Sequence, residues 1–173
     1  MFKSKFSKQF IKYLPDIFAL SVLLISGLVY VIGIESFLDI LETDESLYLH
    51  WGATFPAGFP IPEWSPLYVL WYYFLSLFQP DTIELYFLNY KLMTILPSLF
   101  IYILLRVNKV QMIISFTVSL LFLLSFANFP TTPKVSHFAL IFLLIGLIIS
   151  SLIKENKLKL FSFTICLLIV SFI

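Results

Sequence analysis

The stretch PLYVLWYYFLSLF, residues 66–78, decides how this chain is arranged. It is apolar throughout but only 13 residues long. As a helix it would reach about 20 Å, short of the ~30 Å hydrocarbon core of a bilayer. Whether it crosses or lies flat fixes the side on which every later segment falls. The charges around it decide between the two.

The chain as a whole is too oily for water. Apolar residues make up 60% and charged residues 12%, with a mean hydropathy of +0.99. Soluble domains carry roughly 25% charged residues. The expected fold class is all-α: a polytopic membrane helical bundle with an outer-face loop that carries short juxtamembrane helices. The single cysteine, Cys166, excludes an internal disulfide and a cysteine metal site. A net charge of +1 gives no basis for a nucleic-acid partner.

The expected spans are residues 16–34, 84–105, 111–129 and 136–153, with an incomplete one at 160–173. The first follows Lys3, Lys5, Lys8 and Lys12 and reads as an uncleaved signal anchor, being long for a signal peptide and lacking a clean cleavage site. With the N-terminus in the cytoplasm and residues 66–78 not crossing, Lys3, Lys5, Lys8, Lys12, Arg106, Lys109, Lys154, Lys157 and Lys159 lie inside. That is 9 of the 11 basic residues, as the positive-inside rule expects. If residues 66–78 crossed, Arg106 and Lys109 would flip outside and the pattern would break. The segment is therefore expected to lie in the outer interface, a level that suits Trp71, Tyr72 and Tyr73. The acids sort the other way: Glu35, Asp39, Glu42, Asp44, Glu45, Glu63, Asp81 and Glu84, 8 of the 10, face outward.

Residues 35–83 then form one outer excursion, too long for a connector. Pro56, Pro60, Pro62, Pro66 and Pro80 stiffen it. Within it, TDESLYLHWGATF (residues 43–55) is expected to be a short helix with Thr43 as N-cap and Asp44 and Glu45 in the first turn. Asp44, Tyr48 and Trp51 are spaced i, i+4, i+7 and are expected to share a face. Gly52 and Gly58, with Pro56, are expected to close the helix, and FPIPEWSPLY (residues 59–68) to be extended because residues before proline avoid the α region. Two uses of Asp44 and Glu45 stand beside each other. One is plain helix capping on a wet loop. The other is a carboxylate at the membrane surface, acting as general base toward a hydroxyl or amine or as an oxygen ligand for a divalent cation.

The order of features resembles the polytopic GT-C glycosyltransferases, most closely the protein O-mannosyltransferase and aminoarabinose transferase branch. The matching elements are an N-terminal span, an outer loop opening Asp44-Glu45-x-x-Tyr48, and a Pro66-Leu67-Tyr68 entry to a short aromatic helix. The likeness covers residues 16–150, and implies the N-terminal part of a longer enzyme that moves a sugar from a polyprenyl-phosphate carrier to an acceptor at the outer face. It implies Asp44 as base or metal-site ligand and Glu45 as its support. Tyr48, Trp51 and Tyr68 would border the substrate. Ser65 stands where some relatives place a basic residue before the proline, and the loop FPTTPKVSHF (residues 129–138) offers Lys134 and His137 in place of an acid. Lys134 could neutralise a carrier phosphate, though an interfacial lysine and a polar cap are the plainer readings of Lys134 and His137. The last apolar run stops without a charged flank, as a fragment would.

The competing classes are a non-catalytic scaffold or partner subunit and a transporter component. A transporter is expected to carry polar groups at mid-bilayer, and the spans read as Leu, Ile, Phe, Val and Ser. No phosphate-cradling glycine loop, His-Glu-x-x-His or Gly-x-Ser-x-Gly motif is present. The integral membrane setting expected is a bacterial plasma membrane.

Overall fold

A computed structural model describes residues 2–36, 45–57, 65–128 and 135–173, and the described part is helical with no strand. The helices are α1 (Phe2–Tyr30), α2 (Glu45–Thr54), α3 (Pro66–Ser76), α4 (Thr82–Val107), α5 (Met112–Leu123), α6 (Val135–Leu152) and α7 (Asn156–Ser171). Short 3₁₀ turns follow α1 at Ile34–Ser36 and α5 at Phe126–Asn128. Among the described residues, three segments are long and apolar enough to cross a bilayer: Tyr13–Ser36, Thr82–Val107 and Val135–Leu152.

α4 is the centre, packing on α1, α3, α5 and α6 and touching α2. Its start is built by Asp81, whose Oδ1 accepts from the Ile83 and Glu84 backbone N–H groups at 2.9 and 3.0 Å. Glu84 in the first turn and Arg106 in the last complement the helix dipole. α1 runs antiparallel to α4, and an ion pair fastens each end. Asp16 of α1 meets Arg106, and Glu35 beyond its other end meets Lys91. Lys91 and Arg106 lie roughly 22 Å apart along the α4 axis. Gly33, at φ 77, takes the left-handed turn that ends α1, a conformation a side chain would resist.

Four expectations need correction. Residues 111–129 do not form one continuous helix: α5 is 12 residues long, about 18 Å, and a 3₁₀ turn at Phe126–Asn128 follows it. Polar groups end it early. The Asn128 amide donates to the Leu123 carbonyl at 3.1 Å and to the Thr94 carbonyl of α4 at 2.9 Å, and the Ser125 hydroxyl donates to Phe122 at 2.7 Å. Carbonyls that would have continued the ladder are thus satisfied by side chains. The final helix begins at Asn156, not 160, and buries none of its residues. Gly52 does not end α2 but sits inside it, where a Cβ would lie 2.3 Å from the Tyr72 Cβ and 3.0 Å from the Tyr73 nitrogen. It lets α2 lie against α3. Ser65, expected to be extended before Pro66, is left-handed at φ 53, ψ 51 as it opens α3.

Two clusters make the core. The larger gathers α2, α3, α4 and α6 around Leu49, Tyr68, Tyr72, Tyr86, Tyr90 and Phe138. The smaller joins α1, α4 and α5 through Ala19, Leu23 and Tyr102.

Candidate functional site

The larger cluster holds a buried carboxylate. Glu45 opens α2 and is 5% exposed. Its Oε1 accepts from the Tyr68 and Tyr72 hydroxyls, each at 2.5 Å. The two phenols are one helical turn apart on α3, so they present the same face, and their ring centroids lie 5.3 Å apart. Asn89 of α4 completes the group. Its Oδ1 accepts from the Trp71 Nε1–H at 2.8 Å, and its Nδ2 donates to the Tyr68 and Tyr72 hydroxyls at 2.8 and 2.7 Å. The indole can only donate, which fixes the orientation of the amide. The Nδ2 approach to Oε1 is longer, 3.3 Å, and shares hydrogens already committed to the phenols. Oε2 of Glu45 has no hydrogen-bond partner among the described residues.

Burial costs the charged form of Glu45 its hydration and pushes its pKa up to about 7, while the two phenol donors pull it back down. A proton taken up there would sit on Oε2, since Oε1 is occupied by donors. Tyr68 and Tyr72 are pushed well above the usual phenol range, first by burial. For Tyr68 the Glu45 charge comes next; for Tyr72, the neighbouring phenol and then Glu45. Both phenols therefore stay protonated and keep donating.

The expected site residues divide. Glu45, Tyr48 and Tyr68 come together, with the Tyr48 ring 5.4 Å from Tyr68 in an edge-to-face contact. Trp51 joins them through Tyr48, at 6.2 Å between ring centroids. His137 is buried in α6 but makes none of the hydrogen bonds that hold Glu45. Its neighbour Phe138 closes the box, 5.3 Å from Tyr68 and 5.5 Å from Trp71. Asp44, Lys134, Thr43 and Gly58 lie outside the described residues. The buried face of α2 is Glu45, Leu49 and Gly52. It lies one position on from the expected Asp44, Tyr48 and Trp51.

Asn89 and Tyr72 were not among the expected site residues. Tyr72 was legible only as an interfacial aromatic. Asn89 was readable in principle as a lone carboxamide in an apolar helix, since a polar group there needs partners. No three His, Cys, Asp or Glu side chains gather as metal ligands would among the described residues. The described part of the site supplies one carboxylate whose Oε1 faces three donors, which is not a cation cage. Comparison with family models, curated proteins and solved structures finds no match for this chain.

Proposed function

We propose that this chain is an integral membrane helical bundle with a cytoplasmic N-terminus, in a bacterial plasma membrane. We read its activity as that of a GT-C-type glycosyltransferase, passing a sugar from a polyprenyl-phosphate carrier to an acceptor at the outer face. The three bilayer-length helices support the membrane setting, and the separation of basic from acidic residues supports the sidedness.

One observation carries the catalytic reading. Glu45 is bound to α3 and α4 at once through Tyr68, Tyr72 and Asn89, and a single peptide bond joins it to Asp44. The residue expected to act as base is thus the sequence neighbour of a fixed anchor. In the reaction, the Asp44 carboxylate accepts the proton of an acceptor hydroxyl as that oxygen attacks the anomeric carbon. The bond from that carbon to the phosphate oxygen breaks, and the polyprenyl phosphate leaves with the electron pair. Lys134 offers a counter-charge to the departing phosphate.

The test uses the complete gene product in liposomes with a labelled polyprenyl-phosphate sugar. Asp44→Asn is expected to lower transfer by about a hundredfold or more, the usual contribution of a positioned base. Glu45→Gln keeps an acceptor for the phenols and is expected to retain most of the activity. The reverse result would move the base to Glu45, whose pKa of about 7 suits that work. Transfer that stops on chelation would give Asp44 the ligand role instead.

A second reading has its own support. The Glu45 network joins three helices through internal partners, as a purely structural hub would. On that reading the chain is a non-catalytic membrane scaffold or partner subunit, and neither substitution would touch any transfer activity.

A further inference from the structure

A second polar site lies at the other end of α1 and α4, far from Glu45. There a cavity of about 520 Å³ opens between the two helices. Leu20, Ile103 and Val107 give it an apolar wall, and Asp16, Arg106 and Lys109 give it a charged rim. The carboxylate on that rim is already spent. Asp16 Oδ1 accepts from the Tyr102 hydroxyl at 2.7 Å and from Arg106 Nε at 2.6 Å, and Oδ2 accepts from Arg106 Nη2 at 3.2 Å. Arg106 Nη1 also donates to the Val110 carbonyl at 2.6 Å.

These bonds use three of the five guanidinium N–H groups and hold the plane of the guanidinium fixed. Two donors remain. The Lys109 ammonium has no ion pair or hydrogen bond among the described residues. Its backbone is set in the left-handed region at φ 63 by the turn that ends α4. The carbonyls at that helix end would repel an anion, but they are answered by local donors. Lys109 N–H reaches the Arg106 carbonyl, Val110 N–H the Leu105 carbonyl, and the Asn108 amide the Leu104 carbonyl, at 3.0, 3.0 and 2.8 Å. Arg106 and Lys109 against Asp16 leave one positive charge beside an apolar wall.

We infer that this cavity binds the headgroup of an anionic glycerophospholipid. Its phosphodiester meets Arg106 and Lys109, and an acyl chain lies along Leu20 and Val107. The inference rests on the membrane reading above but not on the glycosyltransferase reading. A phosphodiester carries one negative charge, which matches the rim. Basic pockets between helices at the cytoplasmic edge suit such lipids.

The experiment reconstitutes the full chain in phosphatidylcholine nanodiscs holding a fraction of phosphatidylglycerol and measures the lipid retained by native mass spectrometry. Wild type is expected to keep phosphatidylglycerol over phosphatidylcholine. Lys109→Gln, which leaves the Asp16–Arg106 pair intact, is expected to lower that retention by about fivefold, the share of one lysine at a membrane surface. A Lys157→Gln, Lys159→Gln double variant removes twice the charge from α7 and is expected to change nothing. Losses that follow only the number of charges removed would reduce the site to bulk attraction and overturn it. Displacement by millimolar inorganic phosphate would assign the pocket to a soluble phosphate and overturn the lipid. A chain that stays in solution without detergent and does not enter nanodiscs would overturn the membrane reading and this site together.

Discussion

Glu45 ties the chemistry of the chain to its stability, because its proton is held differently in the folded and unfolded states. In the unfolded chain its carboxyl titrates near the ordinary 4.5; in the fold burial raises it to about 7. The folded state therefore binds the proton more tightly than the unfolded state across that window. Stability supplied by the protonated form is fully present below about pH 4.5 and is lost as pH rises toward about 7, levelling above it. Glu45→Gln has no proton to lose. Melting in detergent across pH 4 to 8, on the order of the range bracketed by those values, is expected to show wild type losing stability with rising pH and the Gln variant flat through the same window. A variant whose pH profile overlays wild type would mean that Glu45 is hydrated and that the box formed by Tyr68, Tyr72 and Asn89 does not enclose it. Part of this box was legible in the sequence. Glu45, Tyr48 and Tyr68 announce themselves by position in an acidic, aromatic loop. Asn89 does not, because it stands alone in α4, 44 residues from Glu45, and only folding brings α2 onto α4.

Between elements, the seating of α2 on α3 depends on a missing side chain. At Gly52 there is no room for a Cβ, with Tyr72 Cβ 2.3 Å away and α3 backbone atoms at 3.0 Å. Backbone cannot swing aside as a long side chain can, so Gly52→Ala must push the two helices apart. Tyr72 lies at that contact and also donates to Glu45, so the displacement reaches the carboxylate. The expected cost is about 1–3 kcal/mol, as for overpacking elsewhere, read as a lowered melting temperature in detergent. A Gly52→Ala variant that melts with wild type would show that α2 does not rest there. Read from the sequence, Gly52 is a helix terminator, because glycine more often ends helices than packs them. The start of α4, expected at residue 84, lies at Thr82, where the Asp81 side chain caps the helix. The end of α5 was harder to find. Its apolar run continues past Leu123, and the groups that stop it, Ser125 and Asn128, act through bonds to carbonyls that composition does not display.

Across the whole molecule, the α3 segment determines which way the bundle faces. α3 is 11 residues long, about 16 Å, and it buries Tyr68, Val69, Tyr72 and Leu75 against its neighbours. The whole apolar run that holds it, residues 66–78, is too short to span the hydrocarbon core, whereas the run that holds α5 extends over residues 111–129, so the two ends of α3 should share a side of the membrane. The ion pairs of Asp16 with Arg106 and Glu35 with Lys91 fit this arrangement, because each joins residues that the charge count assigns to one side. Labelling tests it directly. In a Cys166→Ser background, Ala57→Cys before α3 and Thr82→Cys after it are both exposed positions. Both are expected to react with a membrane-impermeant maleimide added to intact cells. Lys157→Cys, on the basic side, is expected to react only after the cells are opened. If Ala57→Cys and Thr82→Cys label from opposite sides, α3 crosses, and Arg106 and Lys109 move to the outer face. The Glu45 cluster would then lie within the bilayer instead of at its surface, and a surface reaction on a lipid-linked sugar would lose its footing. If both label from outside, Asp44 and the anchored Glu45 stand where such a donor presents its sugar.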